Sequence, residues 1–402
     1  MLNHTRAMKP FWVQKSGVEL PIRLEGHRAF AWKDTIIVWG GRDKYDPTSR
    51  RNFGNDASFS VVYSHQSGIW KKIETNGDPP SDAYEVSAQV INDTMYVLGA
   101  SPGPMHCLDL NSWTWKRLTP GGNPPTDYTW NVASWAYKDK IFCFGGTYSS
   151  DDDDEDEEPS NQLFCYNTTR NTWEWPEQKG DIPSPRLGHT VTVSGDTVFM
   201  FGGCGGCAEQ METYEDLHIL DMLTMRWKKV HGNLPGLKIF SWSSTLTRVS
   251  ESKAVLYGNM HPRRKFEKAP MSMVLDLDKA KHTQDDSSIW KPVLNPHPRS
   301  RHAAVMEPVS QNLWIIGGRV GNDITSEILE VPMRMSLKHL AIDCAARGIS
   351  SDDHRLKPGQ YPKRLRDEVE AQRRRVKEER FLVKKLRKRQ EVCGRRGRGR
   401  HL

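Results

Sequence analysis

An all-β chain built from six copies of one sheet unit is predicted by three features that recur in phase along the 402 residues. The first is a short apolar strand ending in a glycine pair or a degenerate form of it. It appears as Ile36-Ile-Val-Trp-Gly-Gly41, Met95-Tyr-Val-Leu-Gly-Ala100, Ile141-Phe-Cys-Phe-Gly-Gly146, Val198-Phe-Met-Phe-Gly-Gly203, Val255-Leu-Tyr-Gly-Asn259 and Leu313-Trp-Ile-Ile-Gly-Gly318. The second is a tryptophan that follows an alternating strand and a turn: Trp70, Trp115, Trp175, Trp227 and Trp290. The third is a polar or aromatic lead-in ahead of the glycines: Gly26-His27, Tyr84, Trp130, Gly188-His189, Trp242 and Arg301-His302.

Such a unit reads as a four-stranded antiparallel sheet, apolar on both faces, which cannot bury itself alone. Six of them stacked around an axis make a six-bladed β-propeller. Residues 1–25 supply the first element, a closing strand and linker. The sixth unit is one strand short, since no turn and tryptophan follow Ser326-Glu-Ile-Leu-Glu-Val331, and Phe11-Trp12-Val13 offers the missing outer strand. Pairing there seals the ring and removes an open edge. Residues 26–333 form the propeller itself. Its glycine pairs let inner strands approach the axis where a Cβ would clash, and its tryptophans pack between blades. Eight consecutive acids, Asp151 to Glu158, interrupt the third unit and read as a solvated loop.

These residues resemble the kelch repeat family from about residue 10 to residue 333. Spacings of 59, 46, 57, 56 and 59 between successive first glycines fall around the roughly 50-residue kelch period.

Composition narrows the function. With 37% hydrophobic and 27% charged residues the chain can bury a core. No apolar stretch approaches a membrane span, and the start lacks a signal-peptide core. Seven cysteines in so long a chain suit reduced thiols. A protein of the cytoplasm, the nucleus or both is expected. Cys204-Gly-Gly-Cys207 has a metal-like spacing, but no second close Cys/His pair accompanies it, so neither metal nor cofactor is expected. Signatures of a nucleophile elbow, a zinc protease, a P-loop or a dinucleotide site are missing, and the expectation is a non-catalytic protein.

Function in a propeller concentrates on the loops at one end of the central channel. The loop candidates are Arg42 and Arg319, directly after glycine pairs, with Tyr84, Trp130, Tyr148, Arg186, Ser241, Trp242, Arg299 and Arg301. Guanidinium groups offer a carboxylate two parallel charge-assisted bonds, and aromatic walls exclude water. Arg42, Trp130, Arg186, Ser241, Trp242, Arg301 and Arg319 are therefore expected to bind an extended peptide, including at its C-terminal carboxylate.

Behind the propeller the pattern turns helical over residues 334–370. Ser336 stands as an N-cap, and Leu337, Leu340, Ala341, Cys344 and Ala345 share one helical face. This resembles an elongin-binding box, with Ala341 where cysteine is more usual. Tyr361-Pro362, followed by Leu365 and Val369 at helical spacing, resembles a cullin box. The resemblance implies Ser336, Leu337, Leu340, Ala341, Ala345, Tyr361, Pro362, Leu365 and Val369 as adaptor-binding residues, with elongin B/C and a cullin as partners.

Together the two boxes and the propeller resemble the kelch-domain substrate receptors of cullin RING ubiquitin ligases, a group that includes receptors for C-terminal degrons. Pro183-Ser-Pro-Arg186-Leu-Gly-His189 and Ser241-Trp242-Ser243 look like blade starts of the receptors that grip a diglycine end. There the resemblance implies that Ser241 joins arginines on the carboxylate. Cys204 departs from it, standing where an arginine follows the glycine pair.

Residues 371–402 complete a basic helical tail. Between Tyr361 and Leu402 there are 17 Lys+Arg against 6 Asp+Glu, a net of +11 that leaves the preceding residues at −4. Such a tail suits nucleic acid or an import receptor. The expected function is substrate recognition for a ubiquitin ligase. The alternative is a kelch scaffold that binds cytoskeletal or chromatin partners with no ligase role.

Overall fold

Hairpin follows hairpin through six blades of four antiparallel strands, each running outward from a central axis, and in the second and fourth blades a two-residue strand, Asn76–Gly77 or Lys179–Gly180, adds a parallel fifth. In this computed structural model, residues 14–43, 59–81, 83–98, 105–125, 131–148, 158–206, 212–230, 244–258, 272–283, 287–293 and 299–333 are described. The chain divides into two units, Met1–Met333 and Arg334–Leu402. All of the second lies outside the described residues, as do the nine adaptor-binding candidates in it.

The inner strands of the six blades are Glu25–Trp32, Ser87–Ile91, Ala133–Tyr137, Thr190–Ser194, Thr245–Ser250 and Ala303–Met306. Each turns tightly into a nearly all-buried second strand, such as Thr35–Arg42 or Thr197–Phe201. Lys33, Asn92 and Lys138 hold φ at +54° in these two-residue turns, the left-handed geometry that matches strand twist.

Packing between blades follows one rule. The aromatic just before a glycine pair meets the outer-strand tryptophan of the next blade, giving Trp39 to Trp115 at 5.5 Å, Phe144 to Trp227 at 5.1 Å and Phe201 to Trp290 at 5.1 Å between ring centroids. The third blade corrects the sequence reading. Its outer strand is Thr172–Glu174, and Trp173 faces Tyr166 while Trp175 lies beyond the strand, 42% exposed. The extent of pairing decides this, because residues two apart share a face and only Trp173 falls within the paired strand.

Closure is by the N-terminal strand, as expected, but the described strand is Gln14–Glu19. It pairs antiparallel with Glu327–Val331 through Gln14 to Glu330 and Lys15 to Leu329. Phe11-Trp12-Val13 lies outside the described residues. Leu20 and Leu24, at 4% and 2% exposure, then tuck into the core shared by the first and last blades.

Glycine is required where blades touch at the axis. A Cβ on Gly317, at φ +56°, would stand 2.7 Å from the Leu24 carbonyl and 2.8 Å from the His27 ring. On Gly318, at φ +89°, it would stand 2.8 Å from Cβ of His302 in its own blade. The histidines of the lead-ins thus pack as buried wedges. Burial, with the charge of a nearby arginine, pushes His27, His189 and His302 down to about 3.

That neutrality carries a pH dependence. Unfolded histidines take up protons below their ordinary value of 6.5, while these three stay neutral down to about 3, so stability falls as pH drops through that window. Each ring costs about 1.4 kcal/mol at one pH unit below its unfolded value. Urea titrations from pH 7 to pH 5 should show the loss. Constant stability across that range would contradict the buried wedges.

Candidate functional site

In five of the six blades the described lead-in to the inner strand places one residue in the left-handed region. Gly26, Glu85, Asn131, Gly188 and Arg301 occupy it, with φ between +52° and +68°. They form a collar at one end of the channel, knitted by backbone bonds: Gly26 N–H donates to the Arg301 carbonyl at 2.8 Å, Glu85 N–H to Gly26 at 3.0 Å, and Gly188 N–H to Asn131 at 3.1 Å. Inside lies a cavity of about 340 Å³ lined by the inner strands of all six blades. Glycine meets this geometry without strain, whereas long charged side chains at 85 and 301 do so at a cost.

Those two side chains belong to a charge network that spans the closure. Glu25, fully buried at the start of the first blade, accepts from Arg42 Nε at 2.8 Å. It also accepts from Arg319 of the sixth blade, Nε at 2.7 Å and Nη2 at 2.6 Å. Burial pushes the Glu25 carboxyl up, but the bonds from Arg319 and Arg42 and the charges of Arg319 and Arg301 hold it below the usual carboxylate range. Arg301 stands further out. Its Nη1 donates to the Tyr84 hydroxyl at 2.5 Å, its Nε is 3.3 Å from Glu85 Oε1, and Glu25 Oε1 is 3.9 Å away.

Tyr84 is the post of this cluster. The Arg42 guanidinium carbon lies 4.2 Å from its ring centroid and that of Arg301 5.8 Å away. Burial, with the charge of Glu85, pushes its hydroxyl up. Three arginines face two carboxylates, so this sector of the mouth carries an excess of positive charge. Deeper in, Arg28 lines the cavity and donates to the carbonyls of Val86 at 2.8 Å and Glu85 at 3.2 Å.

The structure thus brings Arg42, Arg301 and Arg319 together from the first and last blades. It places Arg186 elsewhere. Arg186 is wholly buried in the fourth blade, where Nη1 and Nη2 grip Asp216 at 2.6 and 3.1 Å and further bonds reach the carbonyls of Gly202 and Ser184. Its guanidinium staples the lead-in to the glycine turn and cannot reach a ligand, so the expectation of a peptide contact is corrected. Arg299 does the same in the sixth blade, bonding the Gly317 carbonyl and Glu327.

Trp130, Ser241 and Trp242 lie outside the described residues. Cys204 is buried and pushed up to about 11 by burial, an inert thiol. Among the described residues no three metal-ligating side chains gather, and no helix is long and apolar enough to cross a membrane.

Sequence reasoning missed Glu25, Glu85, Asn131 and Arg28. A signal was present for the collar: glycine holds the lead-in position in two blades, as Gly26 and Gly188, and so marks the left-handed position that Glu85, Asn131 and Arg301 take in three others.

The KLHDC2/KLHL20/DRC7 Kelch-repeats domain matches residues 26–259. Kelch domain-containing protein 2 of Bos taurus is 26% identical over 332 residues, covering 75% of this chain and 77% of that protein. Kelch domain-containing protein 1 of Mus musculus is 27% identical over 266 residues, covering 59% of this chain and 63% of that protein. Acyl-CoA-binding domain-containing protein 4 of Arabidopsis thaliana is 26% identical over 340 residues, 81% of this chain but only 47% of that protein.

Proposed function

From the match over residues 26–259 the chain belongs to the KLHDC2/KLHL20/DRC7 type of kelch-repeat proteins, protein-interaction propellers, and we propose that it is the substrate receptor of a cullin RING ubiquitin ligase. The propeller mouth takes an extended peptide with its C-terminal carboxylate toward Arg301. Ubiquitin transfer belongs to the partners, and this chain supplies recognition alone.

One observation carries the peptide reading. Arg301 keeps 31% exposure at the mouth, against 3% for Arg42 and 19% for Arg319, while Tyr84 and Glu25 fix where its charge stands. An anchored, partly exposed guanidinium offers a carboxylate charge-assisted bonds at little ordering cost. The adaptor reading rests on the sequence of residues 336–369. Ser241 and Trp242 remain assigned to the peptide site by resemblance, as a hydroxyl donor and an apolar wall.

Affinity purification of the full chain tests the assignment. Elongin B/C and a cullin should accompany the intact protein and be lost from Leu337→Arg, because a charge would enter the apolar face that the adaptor must bury. Equal recovery from both proteins would reject the adaptor box. Recovery of actin or nucleic acid in place of elongins would favour the scaffold alternative.

A further inference from the structure

Glu85 stands where a ligand's acid would. Its Oε1 is 3.3 Å from Arg301 Nε, and the two side chains are 24% and 31% exposed. Two further partners of Arg301 are of a different kind: the Tyr84 hydroxyl belongs to the wall, and Glu25 is wholly buried and bonded to Arg42 and Arg319. Both Glu85 and Arg301 are held at positive φ, +53° and +52°, a conformation their side chains pay for and glycine would not. The collar therefore keeps a carboxylate and a guanidinium side by side, in strained backbone, at the channel mouth.

We propose that Glu85 is a specificity-determining residue of the mouth, occupying Arg301 until a peptide carboxylate displaces it. This rests on the peptide-receptor reading above. Glu85 Oε1 meets Arg301 Nε at 3.3 Å and accepts from the Tyr84 hydroxyl at 3.3 Å, long contacts between partly exposed groups, and a carboxylate that presents both oxygens to the guanidinium outcompetes them. Amides and neutral side chains do not, since they leave Arg301 and Glu85 paired and gain no charge. The excluded ligands are thus turned away by an internal acid as well as by missing contacts, which is discrimination by competition.

The test uses the full chain and Glu85→Gln, which keeps the side chain's size and removes its charge. Two probes are applied: phenylglyoxal, which labels accessible arginines, and random octapeptide pools with free or amidated C-termini. Glu85→Gln should label at Arg301 severalfold faster and bind both pools more tightly, the amidated pool by the larger factor, so that the preference for the free acid narrows about fivefold. A melting curve matching that of the unaltered protein shows that the fold is intact.

An unchanged labelling rate overturns the proposal, because Glu85 would not cover Arg301. Faster labelling with a free-acid preference of the unaltered chain that the exchange leaves equal or widens also overturns it, while the receptor reading stands. If neither pool binds either protein, the receptor reading fails and the selectivity role fails with it.

Discussion

A chain that begins at Pro21 should lose much of its stability and aggregate. It lacks the strand Gln14–Glu19, and the last blade is left with Glu327–Val331 as an open edge beside the first blade. Ile328 and Leu329 in that edge strand are fully buried, so the exposed ladder would be apolar as well as unpaired. Removing Leu20 alone takes a buried side chain from the core that joins the first and last blades, worth about 2–5 kcal/mol. Lost strand hydrogen bonds add about 1 kcal/mol each. The loss approaches the whole of a marginal stability. Differential scanning calorimetry and light scattering would report it, and an unchanged melting temperature would show that the ring closes without this strand.

Arg301→Gln is expected to produce the largest effect on binding, with the fold retained. Its side chain is 31% exposed and most of its partners can turn to water, whereas Glu25 keeps the bonds from Arg42 and Arg319. Truncating a charge that meets a buried carboxylate costs about 2–5 kcal/mol of binding, or roughly 30-fold or more in affinity. The contrast with Arg42 is informative. At 3% exposure beneath the Tyr84 ring, Arg42 sits inside the architecture, and its loss would strip Glu25 of a partner and lower stability first. Calorimetric titration of a free-acid peptide, paired with thermal melts, separates the two outcomes.

Much of the propeller was legible because its signals are local and repeated. A glycine pair, the aromatic before it and a tryptophan some strands later are dictated by crowding at the axis and packing between blades, and they recur wherever a blade does. Errors such as Trp175 for Trp173 arise where two tryptophans of one parity flank a single residue and only the hydrogen-bonded register tells them apart. The short helix Leu277–His282, capped by Asp276, replaces the simple turn expected in the fifth blade. The site was harder to read. Glu25 and Arg319 are neighbours in the network yet 294 positions apart in sequence, a contact that exists only because the ring closes. Arg186 misled because a loop arginine beside prolines looks available. Its echo as Pro298-Arg299-Ser-Arg-His302 in another blade was the sign of a structural staple.

Recognition of a chain end by the mouth beside Arg301 is open to one comparison. A peptide selected from a free-acid library is measured against the same peptide amidated, both with the intact protein. Amidation should weaken binding by about 30-fold or more, since it removes the charge that the guanidinium meets. Equal affinity for the two forms would contradict it.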